Sequence, residues 1–289
     1  LPVAVKPNAG LPDPNTNHTD VLPDEYADAA SEFAAMGVKI FGGCCGTNPD
    51  YISALSARLS KEKYTERESV RTKGASIPAA VCSYSNTAVI DQPRIIGERI
   101  NPTGKKRFKE ALKSGDIDYI LGQAIEQAGA GADILDVNVG LPDIDEKAMM
   151  VRTVKALQSV TDLPLQVDST IPEVLEAALR VYNGKAIVNS VNGEGKSLER
   201  ILPIVKKYGA AVVGLALDET GIPPKAEQRF AIAEKIMNRA VAMGIPKRDV
   251  FIDCLTLTAS AQQEGVIETV KSLHRVKTEL GLKTVLGVS

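Results

Sequence analysis

Two groups of residues in this sequence have the make-up of a reaction site. The first is a set of polar residues that end short apolar runs: Gly97-Glu98-Arg99-Ile100-Asn101, Asp136-Val137-Asn138, Gln166-Val167-Asp168-Ser169, Asn189-Ser190-Val191-Asn192, Asp218-Glu219-Thr220 and Asp253. Carboxylates accept hydrogen bonds and carboxamides both donate and accept them, so such ends gathered around one space suit a flat heterocycle bearing amide and amino groups. A pterin has that edge. Taken singly, any Asp, Asn or Ser in the set could instead cap a helix or make a turn. At Asp168-Ser169-Thr170-Ile171-Pro172, Thr170 could cap a helix opening near Pro172 while Asp168 still faces the ligand. The second group is Cys44-Cys45, set between Gly42-Gly43 and Gly46-Thr47. Flanking glycines let the backbone turn so that both thiolates could approach one metal ion, and the alternative is a pair of small buried hydrophobes. Zinc takes four ligands and a catalytic site keeps one open, so two cysteines need at least one further protein ligand, which is not evident in the chain.

Other residues carry less chemistry. His18, in an early loop, and His274, within a helical pattern, are expected to be solvated, and Cys82 and Cys254 stand outside any motif and are read as structural. No glycine-rich phosphate fingerprint occurs, because Gly129, Gly131, Gly193, Gly195 and Gly221 sit where turns and helix ends are expected.

The elements that must position these residues follow from the apolar periodicity. Leu1 to Val5 reads as a strand, Lys6 to Pro23 as a loop, Asp24 to Met36 as a helix and Val38 to Phe41 as a second strand. A second helix opens at Asn48-Pro49-Asp50, with Asn48 as cap and Pro49 where a missing N–H costs nothing. Cys44 and Cys45 therefore follow a strand. The pattern dissolves from Lys61 to about Gln92, and 64–92 is expected to be a surface linker. Apolar runs then alternate with amphipathic helices: Arg94 to Ile100, Ile134 to Val139, Leu165 to Val167, Ala186 to Val191, Ala210 to Leu217, Val250 to Ile252 and Thr284 to Val288. This is the sequence form of a (β/α)8 barrel of the TIM type, lacking its last βα unit, with the ligand expected at the C-terminal mouth of the strands. The two units before it read as the end of another (β/α)8 barrel. The expected domains are 1–63, the linker 64–92, and 93–289.

At 289 residues and 44% hydrophobic content the chain can fill a sizeable core. A net charge of -2 with mixed signs gives no electrostatic reason for nucleic acid or anionic lipid as a partner. No apolar stretch approaches the roughly 20 residues that cross a bilayer. Four cysteines, two of them adjacent, do not make a secreted disulfide framework, so a cytoplasmic setting with reduced thiols is expected.

The motifs also resemble a known family. Lys6-Pro7-Asn8-Ala9-Gly10-Leu11-Pro12 and Gly42-Gly43-Cys44-Cys45-Gly46-Thr47 resemble the end of the homocysteine methyltransferase domain of cobalamin-dependent methionine synthases. Gly97-Glu98-Arg99-Ile100-Asn101-Pro102-Thr103-Gly104, Asp133-Ile134-Leu135-Asp136-Val137-Asn138, Val167-Asp168-Ser169, Asn189-Ser190-Val191-Asn192 and Phe251-Ile252-Asp253 resemble the pterin-binding domain that follows it. The resemblance implies that Cys44 and Cys45 ligate zinc together with a cysteine from an earlier strand. It implies that Asp168, Asn189 and Asp253 hydrogen-bond the pterin ring of 5-methyltetrahydrofolate, with Asp168 and Asn189 catalytic. Glu98, Asn101, Pro102, Thr103, Asp136 and Asn138 would complete the pocket. In that family an Asn following Gly-Val-Ser reaches the reactive N5, whereas here Ser289 is the last residue.

The chemistry so implied has two halves. Transfer of the N5 methyl to the Co(I) of cobalamin needs protonation of N5, because a tertiary amine is a poor leaving group. Zinc then lowers the pKa of homocysteine so that its thiolate takes the methyl from cobalt, which is carried on a cobalamin-binding module outside this sequence. Dihydropteroate synthase is a rival in the same fold, but Asn101-Pro102-Thr103-Gly104-Lys105-Lys106 and Asn138-Val139-Gly140-Leu141-Pro142 depart from its motifs. A corrinoid protein methyltransferase would lack the cysteine segment, and a non-catalytic folate-binding module would use the same polar set.

Overall fold

The computed structural model describes residues 3–10, 13–16, 20–60, 77–256 and 263–287. His18, the 64–76 part of the expected linker and Ser289 lie outside the described residues. The chain divides into two compact units, 1–76 and 77–289.

In the first unit, β1 (Ala4–Val5) pairs in parallel with β2 (Ile40–Phe41), and helices α1 (Pro23–Ala35) and α2 (Pro49–Leu59) follow the two strands. The expected cap is present: the Asn48 side chain accepts from Asp50 N–H at 2.8 Å, with Pro49 opening α2. Tyr26 of α1 stands edge-on to Tyr51 of α2, with ring centroids 5.6 Å apart. The Tyr26 hydroxyl donates to the carbonyls of Pro7 and Gly42 at 3.0 and 2.8 Å, tying together the loops that leave both strands.

The second unit is built on the seven parallel strands read from the sequence. They are β5 (Ile96–Ile100), β6 (Ile134–Val137), β7 (Leu165–Asp168), β8 (Ile187–Asn192), β9 (Ala211–Leu215), β10 (Val250–Asp253) and β11 (Lys283–Val285), in that spatial order. Helices α3 (Lys106–Ser114) and α4 (Ile117–Gly129) lie between β5 and β6, and α5 (Glu146–Leu157), α6 (Pro172–Val181), α7 (Gly195–Tyr208), α8 (Ala226–Ala242) and α9 (Gln263–Thr278) follow β6 to β10 in turn. The sheet curls as in TIM barrels, with β5 and β11 as its edges among the described residues. Alternate strand residues serve two cores. Leu135, Val137, Leu165, Val167, Val188, Val212, Val250 and Ile252 pack towards the helices, while Ile134, Ile187, Ala211, Val213 and Phe251 form a separate inner cluster.

The segment expected to be a surface linker differs from that expectation over 77–92. There β3 (Ala80–Cys82) and β4 (Thr87–Val89) form an antiparallel hairpin whose Ala79, Val81 and Ala88 are buried in the inner cluster with Phe251 and Ile134. The hairpin is pinned where β8 begins, through Cys82 N–H to Lys185 C=O at 3.0 Å and Lys185 N–H to Cys82 C=O at 2.9 Å. A side chain at Gly184 would put its Cβ within 2.2 Å of the Cys82 carbonyl, so the close approach requires glycine there. The physical reason for the plug is that the curled sheet leaves apolar side chains at its N-terminal end that need cover. Two three-residue strands of small residues supply it.

None of the described helices is long and apolar enough to cross a membrane. Truncation of Phe251, where hairpin and sheet meet, to alanine is expected to cost roughly 3 to 5 kcal/mol in urea unfolding. A loss below about 1 kcal/mol would contradict a packed interior.

Candidate functional site

The polar ends of β6, β7 and β8 lie side by side, and two register shifts occur at strand ends. One falls between Gly97 and Ile100 of β5, the other between Asn189 and Val191 of β8, both at the C-terminal ends of their strands. The backbone N–H of Arg99, displaced by the first shift, is satisfied by the Gln127 side chain of α4 at 2.7 Å.

At the centre, Asp136 of β6, Asp168 of β7 and Asn189 of β8 share the inner face. Asp136 is 2% exposed and accepts a hydrogen bond from Gln166 Nε2 at 2.6 Å. Its carboxyl is pushed up to about 7, by burial first and then by the Asp168 charge, against the opposing hydrogen bonds of Gln166 and Asn189. Asp168 stands beside Asn189 in register and accepts from Asn138 Nδ2 at 2.9 Å. Burial raises its carboxyl as well, opposed by the Asn138 hydrogen bond and assisted by Glu98 and Glu146. Asp253 of β10 is raised by burial and accepts from Leu255 N–H at 2.7 Å. Among the described residues no Lys or Arg forms an ion pair with any of these three carboxylates.

The remaining expected site residues divide. Asn101 is buried and its Oδ1 accepts Thr103 N–H at 2.9 Å, so it makes the turn that carries buried Pro102 and exposed Thr103. Glu98 is exposed and meets Lys105 Nζ at 3.3 Å. Asp218 is a turn-maker, accepting from the backbone and hydroxyl of Thr220 at 2.9 and 2.7 Å. Thr170 is not the cap of α6: Ser169 Oγ accepts Ile171 N–H at 3.1 Å instead, since Ser169 is buried and also donates to Glu146 Oε1 at 2.5 Å. His274 is exposed, as expected.

Two residues given no individual role from the sequence also join the site. Gln166 lies two residues before Asp168 and so on the same face of β7, and its Oε1 is a buried acceptor with no protein donor. Glu146, the first residue of α5, reaches back to Ser169. Period-two alternation was the available signal for Gln166. Glu146 had none, being one acidic residue in a helix start that favours them. Open cavities of about 600 and 390 Å³ lie along 140–147 with 171–174 and along 218–235 respectively. Neither is lined by Asp136, Asp168, Asn189 or Asp253, so donor chemistry defines the site better than cavity size does.

In the first unit Cys44 and Cys45 are exposed, not buried, and their Sγ atoms are 4.0 Å apart. Two thiolates bound to one tetrahedral zinc at ~2.3 Å each stand ~3.8 Å apart, so the pair fits the ion. Cys44 N–H donates to Pro7 C=O at 3.1 Å, Cys45 N–H to Asn8 Oδ1 at 3.2 Å and Ala9 N–H to Cys45 C=O at 2.9 Å. A Cβ at Gly43 would fall 2.3 Å from Thr47 Oγ1, whose hydroxyl donates to Cys44 C=O at 2.6 Å. No group of three or more candidate ligands occurs among the described residues.

A curled parallel sheet whose strand ends gather carboxylates and carboxamides around one space defines a class, and residues 97–289 match the family described as Pterin binding enzyme. The chain belongs to that family. Residues 1–59 match a second, Homocysteine S-methyltransferase. The whole chain is similar to the methionine synthases of Mycobacterium tuberculosis, at 34% identity, and Mycobacterium leprae, at 33%, and it spans 25% of the length of each. Among solved structures it is similar to dihydropteroate synthase from Xanthomonas albilineans with 4-aminobenzoic acid, with a TM-score of 0.59 and 21% identity over 74% of this chain and 78% of that one. Dihydropteroate synthase from Stenotrophomonas maltophilia gives a TM-score of 0.54 and 20% identity over 70% and 74%. These structures speak for the fold alone.

An unfolded Asp ionises near 3.8 and folded Asp136 near 7, so the folded state holds the extra proton between those values. Its contribution to stability therefore falls as pH rises through that window. Asp136→Asn is expected to gain about 2 to 4 kcal/mol on the wild type between pH 4 and pH 8 in urea unfolding. A difference that stays flat with pH would contradict the raised carboxyl.

Proposed function

We propose that this chain is part of a cobalamin-dependent methionine synthase of the cytoplasm, which binds 5-methyltetrahydrofolate at the barrel mouth and presents its N5 methyl to cob(I)alamin on another module. The observation that carries the reading is a trio of carboxylates at the strand ends, buried Asp136 with half-buried Asp168 and Asp253, without a cationic partner among the described residues. Burying such a group is costly unless donors arrive to meet it, and the amino and ring N–H groups of a pterin are donors of that kind. The similarity to methionine synthases and the adjoining Homocysteine S-methyltransferase segment support the same reading.

This reading gives each residue a role. Asp168 and Asp253 accept N–H groups of the pterin, and Asn138 holds the Asp168 carboxylate in place. Asn189, hydrogen-bonded to Asp136, orients the ring beside Asp168. Asp136 keeps a proton available near neutral pH, where departure of N5 as an amine requires one. Asp168 and Asn189 are the catalytic pair, and Glu98, Asn101, Pro102 and Thr103 form the rim. Cys44 and Cys45 would hold zinc together with a further ligand, and the bound ion would lower the pKa of the homocysteine thiol.

Calorimetric titration of 5-methyltetrahydrofolate is expected to show binding that Asp168→Ala weakens by roughly 1 to 3 kcal/mol, about 5- to 150-fold. The wild type is expected to accelerate methyl transfer to free cob(I)alamin, which a mere binding module would not do. Absence of binding by the folded protein would overturn the proposal. Cys44→Ser with Cys45→Ser is expected to abolish stoichiometric zinc uptake while leaving folate binding unchanged. Zinc retained by the double variant would contradict the assignment.

A further inference from the structure

Arg229 of α8 is the largest of the fully buried side chains among the described residues, 2% exposed, and no described carboxylate forms an ion pair with it. Its hydrogen bonds go to groups of three separate segments. Nε donates to Pro223 C=O at 2.7 Å, ahead of α8. Nη1 donates to Cys254 C=O at 2.9 Å and Leu255 C=O at 3.0 Å, beyond β10, and meets Thr269 Oγ1 of α9 at 2.7 Å. Burying a guanidinium to satisfy neutral carbonyls is a costly way to join loops, which directs attention to what those carbonyls do.

One of them belongs to a peptide group with a second task. The Cys254 carbonyl and the Leu255 N–H are the two ends of a single planar unit, and in a trans peptide they point in opposite directions. The carbonyl is held by Arg229 on the helix side, and the N–H donates to Asp253 Oδ1 at 2.7 Å on the inner side. Fixing one end aims the other. A cation on the carbonyl also polarises the peptide, which strengthens the N–H as a donor to a carboxylate. Leu255 has φ +58°, the one non-glycine residue with positive φ among the described residues. Leucine does not adopt that conformation unaided, so its surroundings must impose it. Arg229 and Thr269 both bind its carbonyl, at 3.0 and 3.1 Å.

We propose that Arg229 is a positioning residue for Asp253, acting through the Cys254–Leu255 peptide to hold that carboxylate ionised and correctly aimed for a ligand's N–H groups. The inference rests on the pterin reading of the mouth. The groups around Asp253 are few. Its register partners Leu215 of β9 and Val285 of β11 do not titrate. Neighbouring Cys254 is buried, with its thiol pushed up to about 12, so it stays neutral. From α8 comes Arg229, and from α9 Glu268, whose carboxylate is engaged by Ala226 N–H at 2.8 Å and Lys271 Nζ at 2.9 Å. Burial raises the Asp253 carboxyl and the Leu255 N–H opposes that rise. Because Arg229 holds the carbonyl of the peptide whose N–H meets Asp253, the proposal requires the carboxyl to rise further when the Arg229 charge is lost.

The test is a pH titration of the Asp253 carboxyl carbon by NMR in isotopically labelled protein, assigned with Asp253→Asn, alongside 5-methyltetrahydrofolate affinity at each pH. Arg229→Gln keeps a donor and removes the charge. It is expected to raise the Asp253 midpoint by about half a unit or more, to shift the acid limb of ligand binding equally, and to weaken binding at pH 7.5 about 5- to 50-fold. An unchanged midpoint in the folded variant overturns the proposal and leaves Arg229 a tie between loops. Should Arg229→Gln fail to fold, the wild type decides. The Leu255 amide proton and Arg229 Nη1 signals must move with the Asp253 midpoint, and signals that ignore it overturn the coupling. If the midpoint moves as expected but 5-methyltetrahydrofolate does not bind the wild type, the coupling stands and the pterin reading falls.

Discussion

Carboxylates largely withdrawn from solvent, with no cation beside them among the described residues, set the terms for this structure. Asp136, Asp168 and Asp253 sit on the inner face of a parallel sheet, and each is held by neutral donors: Gln166, Asn138 and the Leu255 N–H. Neutral donors fix a carboxylate in space without neutralising it, so the charge remains available to whatever enters the mouth. The raised carboxyl of Asp136 follows from its burial and then from the neighbouring Asp168 charge. Much of the surrounding architecture keeps these groups dry, aimed and apart.

The fold does this by separating its ends. At the N-terminal end of the strands the inner face is apolar and the β3–β4 hairpin covers it, so no polar side chain is needed there. At the C-terminal end the pairing register shifts in β5 and β8, and the first displaced N–H is met by Gln127. One layer stabilises while the next layer binds, and alternation along each strand lets both coexist. The first unit repeats the scheme on a smaller scale, with Tyr26 clamping the loops after β1 and β2 while Cys44 and Cys45 remain exposed beyond them.

The seven strands of the sheet were legible because most are short apolar runs between amphipathic helices, several of them ending in a polar residue, a signal that needs no tertiary context. Asp168, Asn189, Asp136 and Asn138 were legible for the same reason. The β3–β4 hairpin was not, because strands as short as Ala80–Cys82 and Thr87–Val89 are too brief for periodicity to separate from a loop. Arg229 was hidden differently: an arginine in an amphipathic helix reads as solvated, and only the convergence of three segments shows that it faces inwards. Asn101 and Asp218 show the reverse, polar strand ends whose chief hydrogen bonds make turns. Spacing alone does not separate a residue that shapes a loop from one that awaits a ligand.

The central claim, that the buried carboxylates await N–H donors from a pterin, is tested most directly by following the carboxyl carbons of Asp168 and Asp253 by NMR at pH 6, with and without saturating 5-methyltetrahydrofolate. The account requires both signals to move towards the ionised position on binding and to titrate at lower pH in the complex, because donors reaching a carboxylate favour its charged form. Signals and midpoints unchanged at saturation would place the ligand elsewhere and contradict the account.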